Sequence, residues 1–140
     1  MSEHTPLEHE RDSITKRLQI GDLRVYATMG FYPDGRPGEV FIRAAKIGST
    51  ENGLLSTVSI LISMSLQNGI PMVRIIDKLK GHSFEPSGFT GDKKIQSASS
   101  VIDYLVRWIE IVMKERNVNY VEPMPIICQF CGAGRIHKKL

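Results

Sequence analysis

Residues 52–73 read NGLLSTVSILISMSLQNGIPMV and contain no charged side chain. The three- and four-residue spacing of one helical face links Leu54, Val58, Leu61, Ile62 and Ser65. A helix with no charged side must be covered on nearly every side, either by its own chain or by a partner. The sequence therefore predicts a central helix against which the remaining elements pack.

Both ends of this helix carry recognisable signals. Ser49 or Thr50 can cap its first turn, and Glu51 suits the positive end of the helix dipole. Asn68-Gly69 ends the helix before Pro71. A membrane span is the weaker alternative, because serines interrupt the segment and its apolar part falls short of the roughly 20 residues that a bilayer requires. We therefore expect no membrane contact.

The bulk composition sets the class of protein. A length of 140 residues is typical of one domain, and 41% hydrophobic with 24% charged residues is typical of an ordinary soluble globular protein. The net charge of +3 is mild but leaves contact with phosphate or nucleic acid open. The polar N-terminal residues do not resemble a secretory signal, so we expect a cytoplasmic protein with reduced thiols.

Alternating apolar and polar residues precede the central helix. The clearest strand covers residues 23–32, and similar alternation occurs over residues 13–20 and 39–45. Turn residues separate these runs, which predicts a three-stranded antiparallel β-meander with one apolar face. A short helix is expected after Pro71, and residues 97–116 are strongly amphipathic. Strands followed by helices favour an α+β fold in which the meander packs against about three helices.

These patterns divide the chain into three parts. They are a flexible N-terminal arm (1–12), an α+β domain (13–116), and a linker with a Cys-containing tail (117–140). The sheet and the amphipathic helix cover only two sides of the uncharged helix. We therefore predict a homodimer that buries the remaining side.

The C-terminal tail contains a CxxC pair formed by Cys128 and Cys131. Two thiolates at this spacing supply half of a tetrahedral zinc site, and His137 could be a third ligand. A fourth ligand would have to come from His82, His4, His9 or a second subunit. The same pair could instead work as a redox dithiol, or remain two free thiols.

A second candidate site is the glycine-rich loop of residues 81–91 with its flanking lysines. Its backbone N–H groups, hydroxyls and cations could hold an anion, although the order of a phosphate-binding P-loop is missing. The candidate residues are Lys78, Lys80, His82, Glu85, Ser87, Gly88, Thr90, Lys93 and Lys94. A purely structural loop is the favoured interpretation, with Phe84 and Phe89 anchoring it to the core.

The sequence carries no catalytic signature such as a nucleophile elbow, an HExxH motif or a pair of carboxylates at catalytic spacing. Ser100 with Asp103 can form a capping box at the start of the last helix. Asp103 and Glu110 are expected on the solvated side of that helix. We therefore expect no enzyme activity from this chain by itself.

Several short motifs together resemble one family. They are Arg11-Asp12-Ser13-Ile14-Thr15, Asp34-Gly35-Arg36-Pro37-Gly38-Glu39-Val40-Phe41-Ile42, Lys46 with Gly48-Ser49, Asp77-Lys78, Phe84-Glu85-Pro86-Ser87-Gly88-Phe89-Thr90, and Asp103-Tyr104 with Arg107-Trp108. On these residues the chain resembles the TSCPD domain, the C-terminal domain of adenosylcobalamin-dependent (class II) ribonucleotide reductases, which also occurs in short proteins. The tail resembles the first half of the family's Cys-rich end, and the second Cys pair is missing.

The resemblance implies a link to deoxyribonucleotide supply and DNA synthesis. It does not imply reductase activity or a bound cobalamin, because the catalytic barrel of a reductase does not fit into 140 residues. We therefore expect a non-catalytic, dimeric accessory module in nucleotide metabolism that acts with a ribonucleotide reductase. The alternatives are a nucleic-acid or nucleotide-binding protein that uses the Lys-rich loop and the tail, and a CxxC redox carrier for a reductase.

Overall fold

The computed structural model describes residues 4–46 and 48–116. The elements follow in the order β1 (Ser13–Ile20), β2 (Leu23–Phe31), β3 (Pro37–Ala44), α1 (Thr50–Gln67), α2 (Met72–Leu79), β4 (Gly88–Phe89), β5 (Ser97–Ala98) and α3 (Val101–Glu115). This order confirms the predicted α+β fold, with three helices and a three-stranded antiparallel sheet. The predicted tail lies outside the described residues. No helix in the described part of the chain is both long and apolar enough to span a membrane.

The sheet is a simple meander in the order β1-β2-β3, and its register separates two faces. On the inner face, most alternate residues of the three strands are fully or almost fully buried, whereas Ile14, Lys16 and Leu23 are half-buried. On the outer face, Thr15 lies opposite Thr28, which lies opposite Phe41. The strict alternation in the sequence produces this division, because successive strand residues point to opposite faces.

Helix α1 lies along the free edge of β3 and satisfies its backbone. The Oγ atoms of Ser63 and Ser59 accept the N–H groups of Val40 (3.0 Å) and Ile42 (2.7 Å). On the same side of α1, the Asn52 side-chain oxygen accepts the Ala44 N–H, and the Gln67 side-chain amide donates to the Gly38 carbonyl. An unpaired strand edge exposes a row of polar groups that would otherwise recruit another strand. The polar stripe of α1 therefore replaces a fourth strand.

This edge contact decides which side of α1 is buried. The buried residues are Leu55, Ser59, Ile62, Ser63 and Leu66. Leu54 and Leu61, from the helical face read in the sequence, are 63% and 57% exposed. Within the described residues this helix is therefore covered on one side only, and cover of its other sides by the chain itself or by a partner stays a prediction. This burial pattern arises because β3 requires hydrogen-bond acceptors and donors, which turns the serines inward and some leucines outward.

The segment before β1 packs across one end of the outer sheet face. The Thr5 N–H donates to the Gln67 carbonyl (2.7 Å), and the Tyr32 hydroxyl donates to the Thr5 carbonyl (2.5 Å). Arg11 makes a two-pronged contact with Glu39, from Nε at 2.5 Å and from the second guanidinium nitrogen at 3.0 Å. This end of the face is therefore covered, while the rows nearer the β1–β2 turn are open.

Candidate functional site

The loop after α2 is tied to the start of α3 by one buried carboxylate. Asp103 is 3% exposed, and it accepts the N–H groups of Gly81 (2.7 Å) and Ser99 (3.0 Å). Burial opposes its ionisation, but these two amides and the charge of Arg107 lower the pKa of Asp103 below its ordinary value. The expectation that Asp103 lies on a solvated face is therefore wrong, because the loop folds back over that side of α3.

The capping residue of α3 adds a second tie to the same loop. The Ser100 Oγ accepts the Asp103 N–H (3.1 Å), as a capping residue should, and donates to the His82 carbonyl (2.5 Å). Ser100 is completely buried. The hydrogen bond from the Asp103 N–H to the Ser100 hydroxyl is thus present, as the predicted capping box requires. The same hydroxyl also holds the loop at His82.

A groove of about 500 Å³ lies between β1, α3 and residues 90–94, with Asp92 in its wall. The Asp92 carboxylate contacts Lys16 Nζ (2.7 Å), the Tyr104 hydroxyl (2.9 Å) and the Lys94 N–H (2.9 Å). Burial opposes its ionisation, but these three donors prevail and lower the pKa of Asp92 to about 2. Burial and the neighbouring carboxylate raise the pKa of Tyr104 to about 12. Asp92 therefore stays ionised and Tyr104 protonated near neutral pH, which does not suit proton transfer.

The structure separates the residues of the predicted anion-binding loop. Thr90, Lys93 and Lys94 border the groove, whereas Lys80 pairs with Glu110 (2.9 Å) on another part of α3. Lys94 pairs with Glu115. Gly88 in β4 and Thr90 are half-buried, and the other members of the set are exposed. Two of the predicted cations are thus held by carboxylates, and anion binding by this loop stays a prediction.

The two phenylalanines of the loop do not anchor it to the core. Phe89 is 78% exposed and Phe84 is 40% exposed, with the Phe84 ring set edge-on to His82 at 5.6 Å. Pro86 packs instead over the β1–β2 turn, so closely that a Cβ at Gly21 would lie 3.1 Å from the Pro86 Cβ. The anchoring role predicted for the phenylalanines is therefore wrong, since hydrogen bonds and Pro86 hold the loop.

The most extensive uncovered apolar surface of α1 lies opposite its serine stripe. We call it the α1 apolar face, and it consists of Gly53, Leu54, Thr57, Ile60, Leu61 and Met64. Its four large side chains are 56–63% exposed, and it contains no charged residue. A Cβ at Gly53 would meet no other atom within 4 Å, so no packing within the described chain requires glycine there. A glycine inside a helix lowers stability relative to alanine, and the packing of the described residues gives no reason for Gly53 on this face.

The predicted metal or redox residues Cys128, Cys131 and His137 lie outside the described residues. Within residues 4–46 and 48–116, no cluster of three or more His, Cys, Asp or Glu side chains could hold a metal ion. Of the residues considered as an additional ligand, His4 contacts the Gln67 side chain at 3.0 Å and His82 is exposed. The zinc and redox alternatives both remain predictions.

Comparison with known proteins gives a consistent result. Residues 3–113 match the family model of the TSCPD domain. A vitamin B12-dependent ribonucleotide reductase of Rhodopirellula baltica is 40% identical over 111 residues, which are 79% of this chain and 11% of that protein. The corresponding reductase of Streptomyces coelicolor is 38% identical over 97 residues (69% and 10%), and that of Bradyrhizobium diazoefficiens is 31% identical over 136 residues (96% and 11%). No solved structure matches.

The chain spans about a tenth of the length of the curated relatives it matches. Several residues that carry the resemblance have structural roles here, among them the Arg11–Glu39 pair and the Asp103 tie. The matched region includes the sheet, the loop and nearly all of α3. The chain belongs to the TSCPD domain family, whose members related to it include parts of vitamin B12-dependent ribonucleotide reductases.

Proposed function

We propose that this chain is a non-catalytic accessory module that acts with a B12-dependent ribonucleotide reductase and contacts its partner through the α1 apolar face. One observation carries the proposal: α1, whose only charged residue is Glu51 in its first turn, presents four large apolar side chains at the surface of a domain whose relatives are parts of such reductases. The related reductases carry the matched region within a much longer chain.

The composition of α1 supports a contact role. Its inward side is fully occupied by the β3 edge and the core, so Leu54, Leu61 and Met64 have no structural task in the described chain. The core of a protein interface is depleted of charge and rich in large apolar groups, and this face has the same character. Contiguous exposed apolar groups of this kind mark interaction sites more often than accidental surface.

The groove chemistry supports a module that performs no proton transfer. Near neutral pH, Asp92 stays ionised and Tyr104 stays protonated, and the Tyr104 hydroxyl donates a hydrogen bond to the Asp92 carboxylate at 2.9 Å. Groups that serve as general acids or bases instead have a pKa near the working pH. In this proposal the reductase supplies the chemistry, and the TSCPD chain supplies binding.

The test is co-purification of the tagged full chain with a B12-dependent reductase from the same cell, followed by size-exclusion chromatography. Leu54→Glu combined with Leu61→Glu should abolish the complex, because two buried carboxylates would lie in an apolar contact. Phe89→Glu is the control, since it places a carboxylate at an exposed apolar position in the loop, away from α1. The control should retain the complex.

Two outcomes contradict the proposal. One is the absence of any complex with the unaltered chain, measured at micromolar concentrations of both proteins. The other is equal loss of the complex in the α1 variant and in Phe89→Glu, which would place the contact elsewhere. Far-ultraviolet circular dichroism of each variant confirms that its fold is intact.

A further inference from the structure

The outer face of the sheet is open over two of its cross-strand rows. Thr15, Thr28 and Phe41 form one row, and Arg17, Tyr26 and Arg43 form the next. We call these six residues the open sheet face. The row beyond them, at Gly30 and Glu39, is covered by Arg11 and the N-terminal segment. The fold therefore covers one end of this face and leaves the other accessible.

Two aromatic rings are exposed on this face. Phe41 is 49% exposed and Tyr26 is 37% exposed. Tyr26 lies opposite Arg43, two residues from Phe41 on the neighbouring strand, so the two rings are diagonal neighbours. Diagonal neighbours on one sheet face lie about 7–8 Å apart at their backbones, within reach of aromatic side chains. The two rings thus provide adjacent flat surfaces.

The charge of this face is uniformly positive. Arg17 and Arg43 flank Tyr26 on its two sides, and Arg24 lies opposite Gln19 in the following row. Among the described residues, none of these three arginines makes a side-chain hydrogen bond or an ion pair. Glu39 is the only acidic residue in β1, β2 and β3, and its carboxylate forms an ion pair with Arg11. Within the described part of the chain, the three guanidinium groups are therefore available to an external anion.

The shape of the site favours an extended ligand. An open groove of about 680 Å³ runs between the sheet face and α1, whose Ser56 and Ile60 form one wall. Sites for small ligands usually enclose most of the ligand surface. A groove that is open along the sheet suits a chain that continues beyond it.

We propose that the open sheet face binds single-stranded nucleic acid, with bases stacked on Tyr26 and Phe41 and phosphates held by Arg17 and Arg43. Exposed aromatic rings with cationic side chains next to them are the chemistry that recognises single strands without reading their sequence. The Thr15 and Thr28 hydroxyls form a hydrogen bond with each other at 2.8 Å. They therefore offer few donors or acceptors for recognition of base edges. We therefore expect weak sequence preference.

This site differs from the reductase-contact surface of the proposed function. Among the described residues that line the groove, Ile60 is the one that also belongs to the α1 apolar face. Variants at Tyr26, Phe41, Arg17 and Arg43 therefore test nucleic-acid binding without altering the contact residues Leu54 and Leu61. Either proposal can fail while the other stands.

The test is fluorescence anisotropy of the full chain with a labelled oligonucleotide of about 12 thymidines, within the range bound by single-strand folds. Phe41→Ala should weaken binding about tenfold, whereas Phe41→Trp should restore it, since stacking requires an aromatic face. Arg17→Gln with Arg43→Gln should also weaken binding. This pair should lower the slope of log K against log salt by about 1.4, since each single-strand phosphate contact contributes about 0.7.

The matched control is Arg74→Gln with Lys114→Gln, which removes the same charge from exposed positions of α2 and α3. Affinity should change little in this control and in Lys93→Glu with Lys94→Glu, which alters the loop instead. Equal weakening by the control and the sheet variant would overturn the proposal, as would absence of binding at low salt. Binding of thymidine monophosphate as tight as that of the oligonucleotide would also overturn it. Unchanged circular dichroism shows that a variant retains the fold.

Discussion

Ser63 on α1 makes both hydrogen bonds to Val40 that a neighbouring strand would make. Its Oγ accepts the Val40 N–H at 3.0 Å and donates to the Val40 carbonyl at 3.1 Å. Ser59 accepts the Ile42 N–H one helical turn earlier. The edge of β3 is thus closed by side chains, which explains why serines interrupt the apolar sequence of α1 at the positions that face the sheet.

Ser63→Ala should destabilise the protein by about 1–3 kcal/mol, because it leaves two buried backbone groups of Val40 without partners. Urea denaturation followed by circular dichroism measures the change. Ser65→Ala is the control, since the Ser65 hydroxyl bonds only the Leu61 carbonyl of its own helix. Its effect should stay within about 0.5 kcal/mol. Similar losses in both variants would show that the edge contact contributes no special stability.

Gly30→Ala should destabilise the protein by about 1–3 kcal/mol through a clash with Glu39. A Cβ at Gly30 would lie 2.2 Å from Glu39 Oε2, and this carboxylate cannot simply move because Arg11 holds it. A double-mutant cycle checks the cause. In a Glu39→Ala background the Gly30→Ala cost should largely disappear, whereas additive costs would contradict the clash.

Acid should remove the stability contributed by Asp92. The folded-state pKa of Asp92 is about 2, below the ordinary value of about 3.9 in an unfolded chain. The unfolded state therefore binds more protons between these values, so the contribution is complete above pH 4 and is lost as pH falls through 2. Its size at neutral pH is about 2 kcal/mol.

Asp92→Asn should accordingly lower the free energy of unfolding at pH 7 by about 2 kcal/mol, with a smaller difference below pH 4. Denaturant titrations at several pH values measure this. Asp22→Asn, at an exposed position in the β1–β2 turn, should change stability by less than about 0.5 kcal/mol throughout. A difference between Asp92→Asn and the unaltered chain that stays constant with pH would contradict the role of ionisation.

Without a reductase, the α1 apolar face should pair two copies of this chain. The face carries no charge, so it does not repel itself across a two-fold axis. Light scattering should give a dimer for the unaltered chain and a monomer for Leu61→Glu. At low protein concentration, the unfolding free energies of the two proteins should differ by less than about 0.5 kcal/mol. A monomer at every concentration would remove the homodimer prediction.

Zinc binding by the tail should depend on that dimer. Cys128 and Cys131 supply two of the four ligands that a structural zinc requires, and two chains would supply four thiolates. Elemental analysis of the full chain should then give about one zinc ion per two chains, with loss on Cys128→Ser. A disulfide between the two cysteines in protein prepared without zinc, reducible by thioredoxin, would favour the redox alternative.

The α+β class was predictable because strand alternation and helical spacing depend only on neighbouring residues. The placement of Asp103 was not. Its spacing on α3 matches a solvated helix side, and only the return of the Gly81 loop makes it a buried acceptor of two amides. Phe89 shows the opposite error, since an aromatic residue expected to anchor the loop projects outward. Both errors concern contacts between segments that are distant in the chain.

The sequence by itself determined the three strands, the central helix and its ends, because turn residues, caps and periodicity act locally. Only the tertiary structure decided which side of α1 is buried, because that depended on the unpaired edge of β3 rather than on hydrophobicity. It also decided that Arg17, Tyr26 and Arg43 share one open row. Their alignment follows from strand register, which places residues that are distant in the sequence opposite one another on neighbouring strands.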